Sequence, residues 1–503
     1  MGVLEIVGII IMTIYCLALA AITVYCLIQF HLLYYYKRNQ GLKSIETTVE
    51  QHENAEDLPF VTIQLPIYNE MYVANRLIHA VSTMDYPKDR FEIHVLDDST
   101  DETVDLVGRE IDQLTMDGYI IQHIRRKDRK GFKAGALQEA MPFARGEFIA
   151  IFDADFIPRS DFLRRTLAHF EDPSVGVVQT RWEHLNPDYS LLTKVQAFQL
   201  NVHFTVEQLG RNKGNLFLQF NGTAGVWRKE TIEDAGGWEA DTLTEDLDLS
   251  YRAQLRGWKI KYLEDVTSPA ELPAEMRGLK SQQFRWMKGG AETAKKMLPS
   301  IWKSQLSLRQ KMHASAHLLG STVFLAVFII GIFSVPLAFF INPLDIDKDY
   351  FVIFLTGLIS ILLIYYVANV QVAWKSESRI RTLLKFIFIF PLFLALSMGL
   401  SFHNSLAVMQ GYLGKKSPFI RTPKFNLRNL SERLTNRKYF NASLDRVTLV
   451  EGLLFVYFCV GLVWGIYTRE LTFVVMHSLL AVGYGLIFYF SIKNWIVARV
   501  NPR

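Results

Sequence analysis

The sequence predicts a mostly parallel α/β domain fused to an α-helical membrane domain, and three observations predict it. Six stretches of 17–31 residues lack Asp, Glu, Lys and Arg, whereas residues 37–300 are normally charged. Residues 60–180 alternate short strand-like runs with helix-like segments. Acidic residues stand directly behind three of those runs. Length points the same way, since 503 residues is too long for one small domain. A chain that is 50% apolar and 13% aromatic is neither disordered nor a collagen-like repeat. The three cysteines, Cys16, Cys26 and Cys459, all lie in apolar runs and make neither a disulfide framework nor a zinc spacing.

The uncharged runs are Ile6–Tyr36, Ala314–Ile341, Phe351–Trp374, Phe386–Gly414, Gly452–Thr468 and Leu471–Ile492. A bilayer core takes about 20 apolar residues as helix. Gly452–Thr468 reaches that length if Val447–Val450 begin the helix and Glu451 lies near an interface. The first run lacks a basic start and is too long for a signal peptide, so it reads as a retained anchor.

Basic residues mark the cytoplasmic side. Lys37, Arg38 and Lys43 place residues 37–312 inside and the N-terminus outside. The acidic Asn342–Tyr350 loop suits the outside, and Lys375–Lys385, with four basic residues and one acid, suits the inside. Lys415–Arg446, with nine basic and two acidic residues, also belongs inside. Phe386–Gly414 therefore cannot cross once. It reads as an interfacial or re-entrant helix pair, with Pro391, Ser401, His403, Asn404 and Ser405 at its middle. Five spans follow; the alternative is six, with the basic loop outside. That loop reads either as a polybasic face beside anionic lipid or as a flap over an anionic ligand. Asn221, Asn429 and Asn441 head Asn-x-Ser/Thr sequons on segments placed inside, and are not expected to carry glycans.

In the charged domain, strands are expected over Val61–Leu65, Phe91–Leu96, Tyr119–Ile124, Phe148–Phe152 and Val175–Gln179. Helices are expected over Met71–Met84, Glu102–Thr115, Lys133–Phe143 and Leu247–Arg256. Such sheets bind ligands just past the carboxyl ends of their strands. The acids fall there: Glu70 after the first strand, Asp97-Asp98 after the second, and Asp153-Ala154-Asp155 after the fourth. Crowded carboxylates repel unless a cation joins them, and a hard divalent ion with phosphate oxygens is the usual answer. No Walker loop and no G-x-G-x-x-G follows the first strand, which argues against a P-loop NTPase or an ordinary dinucleotide enzyme. Further along stand Thr244-Glu245-Asp246 and Gln282-Gln283-Phe284-Arg285-Trp286. Arg285 offers a planar fork for a diphosphate, and Trp286 offers a face on which a sugar ring can lie. The plainer readings are acids capping a helix and a Trp anchoring an interfacial helix.

In this order, Asp98, Asp153-x-Asp155, Thr244-Glu245-Asp246 and Gln282-x-x-Arg285-Trp286 form a set. The chain resembles processive family-2 glycosyltransferases of the cellulose synthase and cellulose-synthase-like group. Lys133-Ala134-Gly135-Ala136-Leu137, Phe220–Arg228, His203-Phe204 and Val206-Glu207-Gln208 are similar to its mannan and glucan synthase-like branch. Phe419-Ile420-Arg421-Thr422-Pro423-Lys424 resembles the gating loop of bacterial cellulose synthase, with Arg421 where that pattern has an apolar residue. The resemblance covers roughly residues 55–445; because the sequence ends soon after the last span, the C-terminal cyclic-dinucleotide-binding domain of bacterial cellulose synthase is not expected.

The resemblance implies a GT-A-like nucleotide-sugar-binding domain. It divides the chain into an anchor (1–40), a cytoplasmic glycosyltransferase domain (41–300), an interfacial helix with two spans (301–383), interfacial helices with the gating-like loop (384–446) and a C-terminal hairpin (447–503). The implied reaction is inverting transfer from UDP-glucose or GDP-mannose onto a β-linked glycan, coupled to translocation across the plasma or inner cell membrane. Asp246 is the implied base, and Asp153 and Asp155 hold Mg2+ or Mn2+. Tyr68, Glu70, Asp97, Asp98, Lys133 and Arg285 meet the donor. Asn221, Gly222, Glu245, Gln282 and Trp286 meet the acceptor, and Phe419, Arg421, Thr422 and Lys424 form the gating loop. The partners expected are the donor, the glycan acceptor and the lipid bilayer, with no nucleic acid. The competing readings are an enzyme adding a single sugar to a lipid carrier, and an inactive scaffold or transporter.

Overall fold

A computed structural model describes residues 2–38, 58–340, 355–373, 378–427, 438–439 and 445–500. Lys43, the Asn342–Tyr350 loop, Asn429, Asn441 and the outer ends of Phe351–Trp374 lie outside the described residues.

The strands are β1 (Val61–Ile67), β2 (Phe91–Asp97), β3 (Ile121–Ile124), β4 (Phe148–Ile151), β5 (Val175–His184), β6 (Gly225–Arg228) and β7 (Lys259–Ala270). They form one seven-stranded sheet in the order β3-β2-β1-β4-β6-β5-β7. All neighbours run parallel except β6, which is antiparallel to β4 and to β5. β2 and β4 are buried throughout and β1 at all but Pro66, as expected for parallel strands covered on both faces. One apolar core fills each side of the sheet. The five expected strands are present; β6 and β7 are additional, and β5 runs five residues past Gln179. β7 pairs with β5 through a register shift between Thr180 and Arg181. That irregularity breaks the two-residue alternation by which a strand is read from sequence.

Five helices are long and apolar enough to cross a membrane: Val3–Arg38, Leu308–Phe340, Arg379–Gly399, Arg446–Tyr467 and Val474–Lys493. A shorter apolar helix spans Leu355–Gln371. The run Phe386–Gly414 forms two helices, Arg379–Gly399 and Ser401–Tyr412, divided at Leu400. The first presents Phe386 and Phe393 to Phe198 of the Leu191–Val202 helix, each with ring centroids 5.8 Å apart. It also crosses the last helix closely: a Cβ on Gly483 would stand 1.9 Å from the Ala395 carbonyl oxygen, so only glycine fits. The second packs on the Met276–Lys303 helix, where a Cβ on Gly411 would meet the Lys288 carbonyl oxygen at 2.7 Å.

Glu451, expected near an interface, is fully buried 2.5 Å from Lys280 Nζ. This pair ties the Arg446–Tyr467 helix to the helix carrying Gln282, Arg285 and Trp286. Removing one partner of a buried pair strands the other charge at a cost of about 3–5 kcal/mol. Glu451→Gln is expected to lower the unfolding temperature of the detergent-purified protein markedly, and Lys280→Met with Glu451→Leu to recover most of it. Equal melting of wild type and Glu451→Gln would show that the pair is not structural.

Candidate active site

The carboxyl ends of β1, β2 and β4 open into one cavity of about 210 Å³. Of the eighteen residues singled out from the sequence, seventeen line it; Asp97 does not. Asp97 ends β2 and is 1% exposed, accepting from Ser99 N–H at 2.9 Å and facing His123 Nε2 at 2.9 Å. Successive residues at a strand end point to opposite sides, so Asp97 and Asp98 cannot both face the cavity. Asp98 lines it while held by Arg126 through Nε at 2.9 Å and Nη2 at 2.5 Å.

Asp153 and Asp155 follow β4 directly. Thr223 Oγ1 accepts the Asp153 N–H at 2.9 Å. Each carboxylate meets an ammonium group: Lys133 Nζ lies 2.5 Å from Asp153 Oδ1, and Lys424 Nζ lies 2.7 Å from Asp155 Oδ2. Two hard carboxylates in one cavity, each already drawing a cation, fit Mg2+ or Mn2+ completed by phosphate oxygens. A second acid group, Glu239, Asp241 and Asp248, is close enough together for a metal. There Lys296 Nζ stands 2.6–3.0 Å from all three and supplies the positive charge itself.

Glu245 and Asp246 open the Glu245–Leu255 helix. Burial, then the charge of Glu245, pushes the Asp246 carboxyl up to about 7. A Cβ on Gly222, whose φ is +80°, would stand 3.0 Å from Asp246 Oδ2, so this turn passes close to the carboxylate because it is glycine. Gln282, Arg285 and Trp286 stand three and four residues apart and share one face of the Met276–Lys303 helix. Arg285 Nη2 donates to Thr422 Oγ1 at 3.0 Å, while its buried Nε has no partner. Arg285 itself lines the cavity.

The segment 419–426 covers the cavity. Arg421 Nη1 lies 3.1 Å from Glu70 Oε1, and the Phe419 ring stacks on Phe132 with centroids 5.5 Å apart. Arg421 thus takes a charged partner where the resembled pattern has an apolar residue. Two positions were not singled out from the sequence. Arg129 lies 3.4 Å over the Tyr68 ring. Glu271, just past β7, accepts the backbone N–H of Phe425 at 3.0 Å and of Asn426 at 2.8 Å. The missing signal for Glu271 was β7 itself, since an acid in an unrecognised strand end looks like any loop acid.

Residues 59–289 match the family described as glycosyltransferase like family 2. They are a family 2 glycosyltransferase domain. Among relatives of this chain, "Probable glucomannan 4-beta-mannosyltransferase 4" of Oryza sativa subsp. japonica is 43% identical over 265 residues, 52% of this chain and 48% of the relative. "Glucomannan 4-beta-mannosyltransferase 1" of Cyamopsis tetragonoloba is 41% identical over 270 residues, 53% of this chain and 51% of the relative. The matched stretch thus spans about half the length of these curated relatives. The family 2 fold is also that of the mannosyltransferase PcManGT from Pyrobaculum calidifontis, solved in complex with GDP-Man and Mn2+. It has a TM-score of 0.52 at 19% identity and covers 82% of this chain and 100% of that one.

Glu271 holds the covering segment of this family 2 site through two hydrogen bonds to a charged acceptor, each worth about 1.5–3 kcal/mol. Glu271→Gln is expected to raise trypsin cleavage at Arg421 and Lys424 on the order of tenfold or more, with the protein otherwise folded. Unchanged cleavage would mean that the two bonds do not hold the segment down.

Proposed function

We propose that this chain is a membrane-embedded inverting glycosyltransferase that extends a β-linked mannan or glucomannan-type chain from GDP-mannose. UDP-glucose is the alternative donor. The observation that carries the reading is the cavity where Asp153, Asp155, Asp246, Arg285 and Trp286 meet. Relatives at 41–43% identity that are named 4-beta-mannosyltransferases favour mannose over glucose.

In this reading an acceptor hydroxyl attacks the anomeric carbon from the side opposite the leaving diphosphate, and Asp246 accepts its proton. A carboxyl poised near 7 suits that task, because it is ionised at working pH yet still basic enough to take a proton. Trp286 supports the terminal acceptor sugar from below, with Gln282 and Glu245 beside it. Tyr68, Glu70 and Asp98 border the donor. Mg2+ or Mn2+, when bound by Asp153 and Asp155, supplies positive charge for the leaving diphosphate. Lys133 and Arg285 direct their N–H groups at the same oxygens. Phe419, Arg421, Thr422 and Lys424 close over the donor and exclude water.

The domain division expected from the sequence is part of the proposal, with the catalytic domain on the cytoplasmic side of a plasma or inner cell membrane, the N-terminus outside and the product passed across. The packing of Phe386 and Phe393 against Phe198 supports the interfacial reading of the Arg379–Gly399 helix, since those contacts lie along the face of the catalytic domain.

The test is a donor screen of the detergent-purified protein with UDP- and GDP-sugars, with and without Mn2+. Turnover of GDP-mannose into a ladder of β-mannosidase-sensitive products, lost on chelation, is expected. One discrete product would replace extension by single addition, and no donor turnover would overturn the reading.

Two further outcomes follow. Asp246→Asn is expected to keep donor binding and to lose transfer by about 10²–10⁴-fold. Wild-type kcat/KM is expected to fall as pH drops through about 7, because protonated Asp246 cannot accept the proton. A profile flat from pH 6 to 8 would remove Asp246 as the base.

A further inference from the structure

Two arginines, Arg126 and Arg129, stand in the loop between β3 and the Phe132–Ala140 helix, and they are used differently. Arg126 is fully engaged. It holds Asp98 through Nε and Nη2, the Lys130 carbonyl oxygen through Nη1 at 2.9 Å, and the Phe132 carbonyl oxygen through Nη2 at 2.9 Å. The Arg129 side chain makes no hydrogen bond among the described residues. Its Nε is buried without a hydrogen-bond partner and lies 3.8 Å from Asp98 Oδ2, an oxygen that Arg126 already holds. Its guanidinium carbon lies 3.4 Å from the centre of the Tyr68 ring, a separation at which the two planes stack face to face.

The turn carrying Arg129 fixes this placement. Gly131 at φ +72° and Phe132 at φ +51° both take the left-handed region. A bulky aromatic residue seldom stands there, and such strain persists where the surroundings over-determine it. Here the Phe132 N–H donates to the Arg129 carbonyl oxygen at 3.1 Å, Arg126 grips the loop carbonyls, and the Phe132 ring stacks on Phe419. The Arg129 guanidinium stands 5.1 Å from the Phe132 ring centre and 5.8 Å from that of Phe419. Tyr68, Arg129 and Phe419 all line the cavity. With 24% of the Arg129 side chain exposed and only Nε sealed off, the terminal nitrogens remain open. Burial lowers the Arg129 pKa, Asp98 opposes that, and the charges of Arg126 and Arg421 add to it. A charged fork with so few acceptors suits a ligand that brings its own.

The sheet order places this fork relative to the diphosphate. Asp153 and Asp155 follow β4, Tyr68 follows β1, and Asp98 follows β2, in the order β2-β1-β4. The Arg129 layer is therefore one to two strand spacings, about 5–10 Å, from the metal-binding acids. A ribose spans that interval and carries the base to the fork. We infer that Arg129 reads the N7 edge of the donor's base and selects guanine. The inference rests on the proposed reading of this cavity as a nucleotide-sugar site. Stacking on Tyr68 sets the plane of the fork, and a base entering edge-on lies in the same layer. Guanine presents O6 and N7 side by side, two acceptors that match an arginine fork. Adenine sets an amino donor beside N7, and uracil sets a C–H beside O4. Either base leaves one N–H of the fork without an acceptor.

A phosphate oxygen would also accept from Arg129, so the probe is the base itself. The test measures binding of GDP, UDP, ADP and 7-deaza-GDP, in which a C–H replaces N7, to the detergent-purified full chain with Mn2+. Wild type is expected to bind GDP about tenfold or more tighter than UDP and ADP, and about tenfold tighter than 7-deaza-GDP. Arg129→Met keeps an unbranched stem against Tyr68 and removes the fork. In that variant the gap between GDP and 7-deaza-GDP is expected to close to within about twofold, with UDP binding changed by no more than about threefold. Equal weakening of all four nucleotides would mark a phosphate contact or a packing role and overturn the inference. Equal binding of GDP and 7-deaza-GDP by wild type would overturn it without any variant having to fold. Tighter binding of UDP than of GDP by wild type would overturn guanine selection and leave the glycosyltransferase reading standing with UDP-glucose as donor. Binding of no nucleotide at all would strike the proposed function and this inference with it.

Discussion

The balance of charge at one sheet edge is the constraint on which the rest depends. Glu70, Asp153, Asp155, Glu245, Asp246 and Glu271 crowd a single cavity, and their like charges would force them apart. Each cation that prevents this comes from elsewhere in the chain. Lys133 comes from the helix after β3, Arg285 from the helix after β7, and Arg421 and Lys424 from the covering segment. Lys133 stays charged although burial opposes it, because Asp153 and Glu245 outweigh the loss of water. A donor diphosphate adds more negative charge to the same space. In the proposed reaction Asp153 and Asp155 would hold the divalent ion, which would supply positive charge in their place, and Lys133 and Lys424 would then be available to the phosphate oxygens. Closure of the covering segment and assembly of the donor site are then one electrostatic event.

The membrane helices enter the argument through position. Trp286 is useful only if its helix is held at a fixed height above the apolar bundle. Three contacts fix it: the Lys280–Glu451 pair, the close passage of Gly411 over the Lys288 carbonyl, and Gly289, where a Cβ would lie 2.6 Å from Thr244 Cγ2. The last joins the Gln282–Trp286 helix directly to the Thr244-Glu245-Asp246 turn. Asp246 and Trp286 are therefore set against each other by a close glycine–threonine contact, which is stiffer than contact through long side chains.

What was legible in the sequence follows from periodicity and from fixed offsets. β1, β2 and β4 are nearly continuous buried runs, and the acids behind them mark their carboxyl ends. The Gln-x-x-Arg-Trp pattern singled out Gln282, Arg285 and Trp286, and the Met276–Lys303 helix then puts them on one face. β6 was not legible because its four residues sit inside Phe220–Arg228, which reads as a binding motif. β7 was not legible because charged residues interrupt it and a register shift breaks its alternation. Glu271 was lost with β7. Asp97 failed for a simpler reason: neighbouring residues in a strand face opposite ways. The division at Leu400 was visible as a polar interruption, whereas the close approach of Gly483 to Ala395 depends on two helices distant in sequence.

Glu245 and Asp246 are adjacent, buried and near the same lysine, yet their environments separate their tasks. Burial raises both carboxyls. For Glu245 the largest opposing influence is the Lys133 charge, which favours its ionised form. For Asp246 the next influence after burial is the charge of Glu245 itself, and it adds to the rise. An ionised Glu245 therefore makes Asp246 the more basic of the two. The close turn at Gly222 also leaves room beside Asp246 for an incoming oxygen, where any side chain would intrude. Two carboxylates pushed apart in this way suit the proposed division of work, with Glu245 as a fixed charge and Asp246 as the proton acceptor.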